Sequence, residues 1–247
     1  QTWRLEREKL FMSELDQFKN NFVSLFSHDL KTPIAKIQAI CDRLLAAQPE
    51  PVVKEGLFSL RKESQELHRY IQSILQISRL ESSQFKIQRE ATDINALVDN
   101  VVEQLNPLIT GKHQILTKEL EPMFSIEIDG ALIQEVILNL IENASKYTPE
   151  NGEIRIRTQE VDDKVILSVQ DNGPGVSKED QDRIFEKFFR GQAHQAQTKG
   201  TGLGLFLVKY FVELHGGQVF LESQSGKGTR VGFMLPLKGL SGEGSYA

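Results

Sequence analysis

The sequence predicts an α+β protein: an antiparallel helical hairpin closing as a dimeric four-helix bundle, followed by a sandwich with helices on one face of a sheet. Two heptad-spaced apolar seams before Leu80 predict the hairpin. Beyond Leu80, short alternating strands mix with amphipathic helices without strict βαβ alternation, and this predicts the sandwich. The 247 residues, 39% hydrophobic and 26% charged, suffice for a separate core in each part.

The elements follow in order. Phe11, Leu15, Phe18, Phe22 and Leu25 recur in steps of four and three, and Leu30, Ile34, Ile37, Cys41 and Leu44 continue the stripe on one long helix. The run Gln48-Pro49-Glu50-Pro51 stops it, because proline cannot continue the hydrogen-bond ladder. Val53, Leu57, Leu60, Leu67, Ile71 and Ile74 form the second seam. One hairpin cannot bury both stripes, so a homodimer is the expected completion.

After Leu80, residues 85–89 alternate like a strand, and Thr92 or Asp93 caps a helix over Ile94–Leu105. Strands are expected at Ile115–Leu120 and Phe124–Ile128. Asp129 then caps a helix over Ala131–Tyr147, with Leu138, Ile141 and Ala144 on its buried side. Strands Glu153–Gln159 and Lys164–Val169 flank a turn at Asp162-Asp163. A short helix over Lys178–Phe189, a helix over Leu203–His215 and strands at Gln218–Ser223 and Arg230–Leu235 complete the series. The glycine- and serine-rich tail from Gly239 carries no pattern.

Bulk properties narrow the function. A net charge of -5 offers no basic footprint, which disfavours nucleic-acid binding. The single cysteine, Cys41, excludes an internal disulfide and a cysteine-based metal site, and it reads as a small buried residue in a reducing, cytoplasmic compartment. No apolar run approaches the roughly 18 residues of a membrane span. The chain starts without Met inside a helical pattern, so a longer parent protein is expected, with room for a membrane anchor outside this segment.

Four stretches carry chemistry. Asn139 and Asn143 lie four apart on one helix face, and neutral amide oxygens are hard ligands suited to Mg2+ that also holds phosphate oxygens. Lys146, one turn on, can meet a phosphate. Asp171-Asn172-Gly173-Pro174-Gly175 follows an apolar strand, where a carboxylate can accept from an exocyclic amine such as adenine N6. Gly200-Thr201-Gly202-Leu203-Gly204 opens a helix, whose unpaired N–H groups and dipole favour phosphates. His28 and Thr32 share a helix face beside Pro33, and an imidazole with one free nitrogen is a nucleophile. Each stretch alone also fits a wetted helix face, an ordinary turn or a surface histidine. His68, His113 and His194 match none of them and read as solvent-facing, whereas His215 at a helix end suits a capping role.

Taken in order, these stretches resemble the boxes of the bacterial sensor histidine kinases of two-component signalling. Residues 26–33 look like the phosphoacceptor box and residues 139–147 like the asparagine box. Residues 171–175 and 200–205 look like the two glycine boxes, and residues 185–190 like the phenylalanine box of the ATP lid. The family usually has Glu-Leu-Arg after the histidine, where this chain has Asp29, Leu30 and Lys31.

The resemblance implies a phosphoacceptor hairpin over 1–82, an ATP-binding domain of the gyrase, chaperone and histidine-kinase type over 83–238, and a flexible tail over 239–247. It implies ATP and Mg2+, with the metal at Asn143 and Asn139 and with Lys146, Tyr147, Asp171, Gly173, Gly175, Arg190, Gly200, Thr201, Gly202, Leu203 and Gly204 around the nucleotide. His28 would take the γ-phosphoryl group, Asp29 would fix its tautomer, and the phosphoryl would pass to an aspartate of a response-regulator receiver domain. Thr32 would position water for dephosphorylating that regulator. Two rivals stand beside this reading. An ATP-driven clamp would carry a glutamate base where this chain has Asn139, and a scaffold without chemistry would lack His28, Asn143 or Asp171.

Overall fold

The computed structural model describes residues 34–47, 50–80, 87–191 and 202–237. Contacts divide the chain into two compact units, 1–86 and 87–247. The first seam from Phe11 to Leu25 lies outside the described residues, as do His28, Asp29, Thr32, His194, Gly200, Thr201 and the tail over 239–247.

In the first unit, α1 (residues 34–46) and α2 (Pro51–Leu80) form the hairpin. Pro51 opens α2, where its missing N–H costs nothing, and Lys54 N–H donates to the Glu50 carbonyl at 2.9 Å. Ile34 and Cys41 on α1, and Leu57, Ser64 and Ile71 on α2, are buried at steps of seven. Cys41 has no exposed surface. Ile34 packs on Ile71, and the Ser64 hydroxyl donates to the Ile34 carbonyl at 3.5 Å. A second stripe, also stepped by seven, stays outside: Ile37 and Leu44 on α1, then Val53, Leu60 and Leu67 on α2. His68 is only partly exposed, and its Nδ1 is enclosed without a partner, unlike the solvent-facing residue expected.

The second unit contains a five-stranded sheet in the order β2-β4-β5-β7-β6, from β2 (Ile115–Leu120), β4 (Glu153–Val161), β5 (Lys164–Asp171), β6 (Gln218–Gln224) and β7 (Gly228–Pro236). β2 pairs with β4 in parallel and the other pairs are antiparallel. Three helices, α3 (Ile94–Gly111), α4 (Gly130–Tyr147) and α6 (Gly204–Leu214), line up with α4 in the middle. Ile133, Ile137 and Ile141 of α4 and Phe211 of α6 are fully enclosed, as are Ile154, Ile156, Leu167 and Phe233 of the sheet. Burying each such side chain contributes about 1.5–3 kcal/mol, so this one-sided core dominates the unit's stability. The opposite face carries the ion pairs Arg155–Glu119, Arg157–Glu121 and Arg230–Glu222. Asp162 and Asp163, both at positive φ, make the tight β4–β5 turn.

Several expected boundaries change. Of the strand expected at 85–89, residues 85 and 86 lie outside the described residues and 87–89 are not in a ladder; β1 (Glu90–Thr92) follows, paired with β3 (Ile126–Ile128). Ahead of it Gln88 N–H donates to the Asp129 carboxylate at 3.1 Å, a side-chain tie where a ladder was expected. α3 runs six residues past Leu105 and through Pro107. Burial of Leu105 and Ile109 on one face outweighs the lost bond, because Glu103 and Pro107 are exposed and water can reach the orphaned carbonyl. The helix expected over Lys178–Phe189 is a single turn, α5 (Lys178–Gln181). Tight turns follow, with Arg183 N–H donating to Asp180 and Glu186 N–H to Arg183, and the backbone turns to φ 63° at Phe188. On α4, Leu140 lies fully buried and Leu138 only partly, because the core stripe runs Ile133, Val136, Ile137, Leu140, Ile141.

Candidate functional site

Asp129 starts α4 by accepting from Leu132 N–H at 3.2 Å. The helix then carries Asn139 and Asn143 away from the core stripe. Asn139 Nδ2 donates to the Glu135 carbonyl at 2.9 Å, which fixes the amide's orientation and leaves its oxygen toward α6. There Gly204, the first residue of α6, comes so close that a Cβ on it would lie 2.7 Å from Asn139 Oδ1 and 3.9 Å from Asn143 Nδ2. Only glycine lets the α6 N-terminus approach this amide face. Leu203, fully buried, anchors that end, and Gly202 packs against the backbone of Phe188 and Phe189. Phe189 lies beneath the Arg183 guanidinium at 4.5 Å, and Phe206 beneath the Lys187 ammonium at 4.9 Å. Arg190, half-buried, ends this segment.

Asp171 closes β5 and is only 8% exposed. Its Oδ1 accepts from Gly173 N–H at 2.8 Å. Burial pushes its carboxyl pKa up, and the backbone bonds from Gly173 and Thr229 oppose that in part. A Cβ on Gly173 would meet Asp171 Oδ1 at 2.8 Å and the Tyr147 carbonyl at 2.9 Å, so the loop after β5 is pressed onto the end of α4. Lys146 stacks its ammonium over the Tyr147 ring at 4.9 Å. Gly175 belongs to a different contact, against the backbone of Gln224 in the β6–β7 turn.

The structure therefore brings Asn139, Asn143 and Gly204 together, and Asp171, Gly173 and Tyr147 together, along one side of α4. Residues to which the sequence assigned no role of their own support them. Asn172 pairs twice with Glu153, donating its N–H to the carbonyl and accepting the Glu153 N–H on Oδ1. Lys112 and Gln114 donate to carbonyls at the end of α4. Backbone partners of this kind leave no pattern in a sequence. His215, 3% exposed, caps α6 and bridges to α4. Its Nε2 accepts from Asp129 N–H at 3.0 Å, so Nδ1 carries the proton and donates to the Phe211 carbonyl at 2.7 Å. Burial lowers its pKa, consistent with a neutral ring.

Residues 128–239 match the family described as histidine kinase-, DNA gyrase B- and HSP90-like ATPase, and residues 18–83 match the His Kinase A (phospho-acceptor) domain. The adaptive-response sensory kinase SasA of Crocosphaera subtropica is 34% identical over 95% of this chain, which spans 64% of that protein. The sensor protein SrrB of Staphylococcus aureus is 32% identical over 90% of this chain, which spans 39% of it. Among solved structures, full-length ShkA in complex with AMPPNP is similar over 90% of this chain and 47% of that one, with a TM-score of 0.75 and 25% identity. The chain thus spans less than two thirds of the length of these relatives.

Proposed function

The chain belongs to the two-component sensor histidine kinases, and from that membership we propose that it binds Mg-ATP on α4 and phosphorylates its own His28. The observation that carries this reading is the meeting of the Asn139 and Asn143 amides with the α6 N-terminus at Gly204. Anionic phosphates suit that helix end, and the amide oxygens suit a hard cation. Two neutral amides are too few donors to hold Mg2+ alone. Asn139 and Asn143 would hold the ion together with the triphosphate, and the chemistry it would supply is charge neutralisation. Asp171, buried beside Gly173, accepts a hydrogen bond from the adenine amine. Lys146 and Arg190 contact phosphates, Tyr147 lines the nucleotide, and Gly200 and Thr201 extend the phosphate loop.

His28 then attacks the γ-phosphorus in line. A nitrogen–phosphorus bond forms, the bond to the β-γ bridging oxygen breaks, and ADP leaves. Asp29 holds the other ring nitrogen's proton. A receiver-domain aspartate takes the phosphoryl next, and Thr32 positions the water that later removes it. The exposed heptad stripe of Ile37, Leu44, Val53, Leu60 and Leu67 supports homodimerisation through the hairpin. A location in the cytoplasm agrees with this use of ATP, and none of the described helices is long and apolar enough to cross a membrane.

Incubation with γ-labelled ATP tests the reading. The wild type should acquire acid-labile label, and His28→Gln should acquire none while still binding ATP. Acid-stable label, or label on His28→Gln, would overturn it.

A further inference from the structure

We propose that Gln114, braced by Lys112, is the positioning residue of the base-binding half of the site, acting through the backbone at the end of α4. The proposal rests on the Mg-ATP reading above and names a further residue for it.

The last four carbonyls of a helix have no partners within it and must find others. At the end of α4, Thr148 N–H donates to the Ala144 carbonyl at 2.9 Å, the one bond a cap residue can supply. Partners for the Ser145 and Lys146 carbonyls come from the turn between α3 and β2. The Gln114 side-chain amide donates to the Ser145 carbonyl at 2.9 Å and the Thr148 carbonyl at 2.8 Å, and its Oε1 accepts from the Ser145 hydroxyl at 2.8 Å. Lys112 Nζ donates to the Ser145 carbonyl at 2.7 Å and the Lys146 carbonyl at 3.3 Å. Gln114 is 7% exposed and Ser145 fully enclosed, so water is a poor substitute on either side.

The turn that presents these groups is itself held. His113 sits at φ 54°, Gln114 N–H donates back to Ile109, Asn151 N–H donates to Lys112, and Ile115 N–H donates to Gly152. Both ends of the clamp are therefore anchored, one on α3 and one on the loop after α4.

The clamp is thus seated on the residues that shape the base side. Lys146 and Tyr147 lie in the clamped turn, and the Tyr147 carbonyl is the surface on which Gly173 rests, with Asp171 bonded to Gly173. A shift in this turn moves the wall facing the base and the carboxylate that would read it. Asn139 and the α6 N-terminus stand two turns away, so that part of the phosphate half is spared, and Lys146 is the one proposed phosphate contact within the clamped turn. The expected signature of losing the clamp is weaker binding with undiminished turnover at saturation.

The test uses the whole chain with Mg-ATP and Mg-GTP in calorimetry and labelling assays. Gln114→Met keeps the side chain's bulk and removes every polar contact. It should weaken Mg-ATP about tenfold, raise the ATP KM to match, narrow the preference for ATP over GTP and leave kcat unchanged. In nitrogen-15 NMR spectra without nucleotide the Gly173 amide signal should move. Lys112→Met, at a less buried position, should give a smaller loss of the same kind, and it decides the matter if Gln114→Met does not fold. Wild-type affinity in the decisive variant, or a fall in kcat with KM unchanged, overturns the positioning role and leaves the kinase reading intact. A wild-type chain that binds no Mg-ATP overturns both.

Discussion

Burial raises the Asp171 carboxyl pKa, and the sign of that shift has a consequence for stability. A raised folded-state pKa contributes stability that is present below the unfolded value and lost as pH rises through the folded one. Near neutral pH the domain therefore bears a cost for the ionised group, one that binding of an amine donor would offset. Asp171→Asn removes the cost along with the charge. At pH 7.5 we expect a Tm equal to or above wild type, and Mg-ATP affinity lower by about a hundredfold, or ~2.7 kcal/mol. A lowered Tm with unchanged affinity would contradict this. The buried setting of Asp171 is legible in the sequence, because the carboxylate falls between an apolar strand and two glycines. Gln114 was not, since a glutamine whose partners are carbonyls looks like any other glutamine. His215 was half legible: its place at the helix end was expected, and its bond across to Asp129 was hidden 86 positions back in the sequence.

Among the elements, those with a cap or strict alternation were legible nearly to the residue. Asp93 and Asp129 cap α3 and α4, and β2 spans the expected Ile115–Leu120. The structure departs from the sequence pattern where tertiary contacts set the backbone, as in the continuation of α3 through Pro107 and the turns after α5. In the hairpin the two seams separate into an inner stripe through Cys41 and Ser64 and an outer one through Leu44 and Leu60. A second copy is the expected cover for the outer stripe. Leu60, 50% exposed in the single chain, is the position at which to ask. Leu60→Glu should convert a dimer to a monomer at micromolar concentration in sedimentation while leaving helix content unchanged. A wild-type monomer, or an undisturbed dimer in the variant, would sink the assignment.

At the scale of the whole molecule, the second unit encloses its own core, with α4 and α6 packed on each other and on the sheet of the same unit. It should therefore fold alone, and a fragment of residues 87–237 should melt cooperatively and bind Mg-ATP within about threefold of the full chain. A fragment that is unfolded, or folded and unable to bind, would refute the independence. The uncovered face of that sheet has a different consequence. Exposed ion pairs such as Arg155–Glu119 and Arg230–Glu222 are worth roughly 0–1 kcal/mol each, too little to explain them as supports of the fold. Two such units tethered to one dimeric hairpin would meet at an effective concentration on the order of millimolar. At that crowding, bare edge strands would zip together into a continuous sheet. The edge strand β2 presents Lys118 and Glu119, and the edge strand β6 presents Glu222, charges that would oppose such pairing.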